Sequence, residues 1–106
     1  MIAIMYAPIS TGTPAKIYPK LRTMVIDPAT FYQIPSFNMR VFVLAHELAH
    51  LRFRDETEAD LEAFRAYYER GYPVRDAIFA LTRLLEPTNA HKRVVGLING
   101  IYAQCH

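Results

Sequence analysis

The residues with the clearest chemical potential are His46, Glu47 and His50, which stand in the stretch Leu44-Ala45-His46-Glu47-Leu48-Ala49-His50 with H-E-x-x-H spacing. On an α-helix, residues four apart are separated by about 40° around the axis and about 6 Å along it. Two imidazoles so spaced project from one face and can chelate a single divalent ion. Glu47 falls on the flank of that face, where its carboxylate can act as general base toward a metal-activated water without ligating the metal. A second pair, Glu56 and Asp60, follows the five-residue connector Leu51 to Asp55. Connectors of this length join helices that fold back on each other. In such a hairpin Glu56 falls level with His50, and Asp60, one turn deeper, level with His46. The expected roles are then Glu56 as third ligand and Asp60 as acceptor of the free ring N–H of His46, fixing its tautomer. If the turn is wider, Asp60 becomes the third ligand instead. Two His and one carboxylate with an open fourth position is the arrangement of a catalytic zinc site.

These residues need a scaffold, and the chain divides into two textures. Residues 1–35 hold five of the seven prolines, which forbids a long helix there and favours short extended pieces. Ala3 to Tyr6 and the Thr-Met-Val-Ile within Arg22 to Ile26 read as strands of a small sheet or hairpin. From residue 36 the pattern is helical. Ser36 or Asn38 caps a helix to about Leu51, whose run Val41 to Ala45 is apolar on nearly every side and predicts burial. Asp55 and Glu58 have capping-box spacing for a second helix, which Gly71 and Pro73 end. Two further helices are expected. One spans about Val74 to Glu86 on an Ile78, Leu81, Leu84 and Leu85 face; the other spans about Asn89 to Ala103 on a Val94, Val95, Leu97, Ile98 and Ile101 face. The expected fold class is α+β, a small N-terminal sheet followed by a bundle of about four helices in one domain over 1–106.

His46-Glu47-Leu48-Ala49-His50 followed by Glu56-Thr57-Glu58-Ala59-Asp60 resembles the gluzincin metallopeptidases, in which H-E-x-x-H precedes E-x-x-x-D. That group includes thermolysin and the small regulatory peptidases of the ImmA/IrrE type. Thr23 to Asp27 is similar to the strand such domains place before the active-site helix, and Lys92 to Leu97 to a closing R-[IV]-x-x-L element. The resemblance implies a zincin-like fold, a Zn2+ ion on His46, His50 and Glu56, Glu47 as catalytic base, Asp60 behind the ligands, and a peptide or protein substrate. The connector is shorter than in thermolysin and no residue reads plainly as an oxyanion donor. The rival expectation is therefore a non-catalytic metal-binding module.

Plainer readings compete at each position. The two histidines can be core residues, although each would then need a buried partner. Glu47 can pair with Arg40, Arg52 or Arg54, and Glu56 can be an ordinary acid in a helix's first turn. His91 and Tyr102 are candidates to assist an oxyanion, against a solvated His and a core Tyr. Phe64, Tyr67 and Tyr68 read as core. A net charge of +2 without a basic stripe argues against nucleic acid as partner. One cysteine, Cys105, excludes an internal disulfide and suits a reducing cytoplasm. The opening residues fit neither a signal peptide nor a membrane anchor.

Overall fold

Three of the helices begin where a side chain supplies a partner for an otherwise bare backbone N–H. The computed structural model describes residues 2–84 and 89–104, with side chains described for 2–84 and 91–99. Strands β1 (Ala3–Tyr6), β2 (Ala15–Tyr18) and β3 (Thr23–Ile26) form one sheet in the order β1-β3-β2. β1 runs parallel to β3 with Ala3 opposite Thr23, and β2 runs antiparallel with Ile17 opposite Met24. The two strands read from the sequence are thus neighbours but not a hairpin. The strand hydrogen-bonded antiparallel to β3 is β2, which sequence reading passed over. Its Ala-Lys-Ile-Tyr alternates, with Ala15 and Ile17 buried and Lys16 and Tyr18 exposed, but it is flanked by Pro14 and Pro19 and is only four residues long.

After β3, Asp27 caps a one-turn helix α1 (Pro28–Phe31). Its carboxylate accepts from Ala29 N at 3.1 Å and from Ile9 N at 3.0 Å, which also ties down the segment leaving β1. Ser36 caps helix α2 (Phe37–Ala49), accepting from the backbone N–H of Asn38 and Met39. Asp55 caps α3 (Glu56–Glu69) by accepting from Glu58 N, and Gly71, at a φ of 84° that favours glycine, turns the chain away. Helix α4 (Val74–Phe79) continues into a π-helical stretch, Ala80–Leu84, and α5 spans Asn89–Gln104. The described residues form an α+β fold of a three-stranded sheet with four helices from residue 37 onward, preceded by a 3-10 turn at Pro19–Leu21 and the one-turn α1.

The core lies between the sheet and α2, and between α2, α3, α4 and α5. Phe42 of α2 meets Tyr67 of α3 edge to face at 5.4 Å, and Tyr67 donates its hydroxyl hydrogen to Pro73 O at 2.6 Å. Ala59 and Ala63 are buried on α3; side chains this small let α2 and α3 approach closely, which the site requires. Two apolar expectations are corrected. Tyr68 is 51% exposed, stacked on the partly buried Phe64, and Leu97 is 50% exposed, because Val94 and Ile98 occupy the inner face of α5. α2 is likewise buried along one side only, with Val41, Leu44 and Ala45 half-buried. Leu85 lies outside the described residues, and the Ile101 side chain is also outside the description. Among the described residues no helix is long and apolar enough to cross a membrane.

Candidate metal centre

His46 and Glu47 occupy the last turn of α2, His50 caps its end, and Glu56 and Asp60 occupy the first two turns of α3. The hairpin brings all five together. Glu56 reaches both imidazoles, with Oε2 3.3 Å from His46 Nε2 and Oε1 3.3 Å from His50 Nε2. Asp60 Oδ1 lies 2.9 Å from His46 Nε2. Two of the rings are held from behind. His50 donates its Nδ1–H to the carbonyl of Phe53 at 3.0 Å, which directs Nε2 toward Glu56. His46 directs Nδ1 at Glu47 Oε2, 2.9 Å away. The histidines are therefore not apolar filling. Of the arginines considered for Glu47, Arg40 donates to the carbonyls of Tyr32 and Ile34, and Arg52 pairs with Glu62. Arg54 lines the same cleft as Glu47.

Glu47 itself is buried and engaged at both oxygens, because Oε1 accepts the backbone N–H of Ile17 at 3.0 Å. It thereby links α2 to strand β2.

A further residue enters the cluster. His91, near the start of α5, is 4% exposed and not solvated as its sequence context suggested. Its Nδ1 contacts Asp60 Oδ2, and its Nε2 faces Glu56 Oε2 at 3.9 Å. The sequence does hold a signal for it. His91, Val94 and Ile98 are spaced three and four apart, so the histidine interrupts the apolar stripe that buries α5. The side chain of Tyr102, the other candidate from this helix, is outside the description.

Donor atoms of His46, Glu56, Asp60 and His91 all lie within 4.8 Å of one another, as do those of His46, Glu47 and His50. Either group can hold a metal ion; the expected set of His46, His50 and Glu56 is neither of them. Two observations indicate that the residues fit one. Asp60 Oδ1 is fully buried, and its near neighbour, His46 Nε2 at 2.9 Å, is not aligned as a hydrogen-bond donor, so a cation would satisfy that oxygen more fully. The 3.3 Å separations of Glu56 from the two imidazoles are long for charge-assisted hydrogen bonds. They equal the roughly 3.3 Å between two ligands that each stand about 2.0–2.1 Å from a tetrahedral zinc.

The electrostatics agree. Burial opposes a charged His46, but the carboxylates of Asp60, Glu47 and Glu56 outweigh it and push its pKa up to about 11. The contact with His46 lowers Glu56 against its partial burial, and the charge of His50 adds to the effect. Burial raises Asp60, yet His46 and His91 together bring it below the ordinary value of 3.8. Without metal, an imidazolium supplies the positive charge that the carboxylates require. The sign of its linkage to stability follows. His46 contributes fully below its ordinary 6.5, and its contribution is lost as pH rises toward about 11. Glu56 and Asp60 contribute above their ordinary values and lose their contribution as pH falls. In chelator, the urea midpoint is therefore expected to be highest near pH 5–6.5 and to fall on both sides. A midpoint that stays flat between pH 6.5 and 9 would show that His46 holds no such proton.

His46, Glu47, His50, Glu56 and His91 line a cleft of about 420 Å³ together with Thr13, Ala15, Lys16, Ile17 and Arg54. Comparison with known proteins gives no relative: no family model matches the chain, and no curated protein or solved structure is similar to it.

Proposed function

We propose that the chain is a zinc-dependent peptide hydrolase that uses the cleft above His46 as its active site. The observation that carries this reading is the Glu56 carboxylate bridging the two imidazoles, Oε2 3.3 Å from His46 Nε2 and Oε1 3.3 Å from His50 Nε2, beside the buried Asp60 carboxylate. His46, His50 and Glu56 would hold the ion, with Asp60 behind them. When bound, zinc supplies Lewis-acid polarisation of an amide carbonyl and of the attacking water. Glu47 Oε2 accepts the water's proton and delivers it to the leaving nitrogen as the C–N bond breaks. Oε1 is tethered to Ile17 N and Oε2 rests on His46 Nδ1, the side of the ring away from Nε2, so Oε2 must give up that contact to reach a water at the ion.

A peptide suits the cleft because β2 is an edge strand and Ala15, Lys16 and Ile17 line the same cleft as the cluster. An extended chain can pair with the main-chain groups of such an edge other than the Ile17 N–H, which Glu47 Oε1 already takes. The absence of any long apolar helix among the described residues is compatible with the cytoplasmic setting expected from the single cysteine.

One observation favours the rival, a metal-binding module without catalysis. Both Glu47 oxygens already have partners, so Glu47 can serve to brace His46 against the sheet and nothing more. The two readings separate when the purified chain is assayed for zinc by elemental analysis and then incubated with a peptide library. Catalysis predicts about one zinc per chain and cleavage that chelator stops and added zinc restores. Zinc without cleavage on any peptide selects the binding module, and a chain that carries no zinc and takes up none removes both.

A further inference from the structure

We propose that His91 is a ligand of the same metal, coordinating through Nε2, so that the ion joins α5 to the α2–α3 hairpin. The inference rests on the metal part of the reading above and extends it to a residue outside the H-E-x-x-H and E-x-x-x-D pattern; a fourth protein ligand closes the position that a tetrahedral zinc offers to water, so it counts toward the metal-binding module rather than the hydrolase.

The geometry begins with Asp60. This side chain is fully buried, and its two oxygens do different work: Oδ2 contacts His91 Nδ1, while Oδ1 points into the cluster, 2.9 Å from His46 Nε2 and without an aligned donor. A carboxylate on one ring nitrogen fixes the imidazole's tautomer, aims the other nitrogen and strengthens it as a ligand, the usual support of a metal-bound histidine. For His91 the nitrogen so aimed is Nε2, which faces Glu56 Oε2 at 3.9 Å. The His91 and His46 rings, from different helices, stand 5.5 Å apart, inclined at 64°. Neither ring can stack on the other at that angle. Among the described residues, the donor quartet of His46, Glu56, Asp60 and His91 is the larger of the two groups within 4.8 Å.

A role for His91 as a mobile donor to a reacting oxygen fits less well. His91 lines the cleft with His46 and Glu47, but its ring is anchored to a carboxylate that is itself fully buried, which denies it the freedom to follow a reacting oxygen. The burial makes sense if the ring serves the ion. The consequence is that α5, otherwise held by the apolar contacts of Val94 and Ile98, is also held by coordination.

The test uses the full chain with Zn2+ and Co2+ as probes. In ¹⁵N-labelled wild-type protein, Zn2+ is expected to shift the His91 Nε2 resonance together with that of His46 Nε2. His91→Asn keeps a donor where Nδ1–H stood, so Asp60 retains its partner, but it removes Nε2. It is expected to weaken Zn2+ about a hundredfold or more in chelator competition, beyond the ten- to hundredfold typical of losing an outer partner, and to change the visible spectrum of bound Co2+. His91→Ala should be no better than His91→Asn. The proposal is overturned if His91 Nε2 does not move on Zn2+ addition. It is equally overturned if His91→Asn binds Zn2+ as the wild type does, which would make His91 only a positioning residue for Asp60. If the wild type binds neither metal, the metal reading itself falls; if His46→Ala abolishes binding and His91→Asn does not, only this inference falls.

Discussion

Glu47→Gln is expected to lower the rate of peptide cleavage by about 10²–10⁴, the usual contribution of a positioned general base. The substitution conserves shape at a buried position, so the amide oxygen can still accept from Ile17 N in place of Oε1. What it removes is the basic oxygen Oε2. The new amide N–H₂ then faces His46 Nδ1, which lies 2.9 Å from Oε2 in the wild type. His46 loses its acceptor there, and the brace on that ring weakens at the same time as the base is lost. Zinc content must therefore be measured on the same samples. A rate loss with zinc retained assigns the proton transfer to Glu47. A rate loss that tracks zinc loss assigns Glu47 to support of His46. Equal cleavage by both proteins would take Glu47 out of the chemistry altogether.

The difference between what spacing reveals and what packing reveals is clear at this site. His46 with His50 and Glu56 with Asp60 are pairs four apart on helices, and a helix fixes the relation of such pairs whatever the rest of the chain does. The short connector from Leu51 to Asp55 then leaves α3 little choice but to return along α2. The meeting of Glu56 with both imidazoles was therefore legible in the sequence. His91 was named only as a candidate to assist an oxyanion and not as part of the carboxylate and imidazole cluster, because its place depends on which face of α5 meets the hairpin, and a stripe with two valines, two isoleucines and a leucine does not settle that. Burial of Val94 and Ile98 rather than Leu97 brings His91 inward. Strand β2 was missed for a related reason: four alternating residues between prolines form a strand only when β3 is already beside them. The doubled role of Glu47, one oxygen on the sheet and one on His46, depends on that same strand and could not be read without it.

Removing the metal is expected to lower the melting temperature by about 15–30 °C. The ligands lie on α2 and α3, with His91 of α5 in the same cluster, and they meet only in the folded chain, so an ion binds the native state in preference to the unfolded one. At free zinc a thousandfold above Kd this stabilises the fold by about 4 kcal/mol, and for a domain of this size 1 kcal/mol corresponds to about 4–8 °C. The metal-free protein keeps three carboxylates around His46 and relies on the proton of that imidazole to offset them. Zinc must displace that proton, so the stabilisation is expected to grow as pH rises from 6 to 8. Calorimetry with and without chelator at these pH values gives both quantities. A large drop alongside chelator-sensitive cleavage fits the hydrolase, and a large drop without cleavage fits the binding module. An unchanged melting temperature at every pH would mean that the buried carboxylates and imidazoles satisfy one another and that no ion belongs among them.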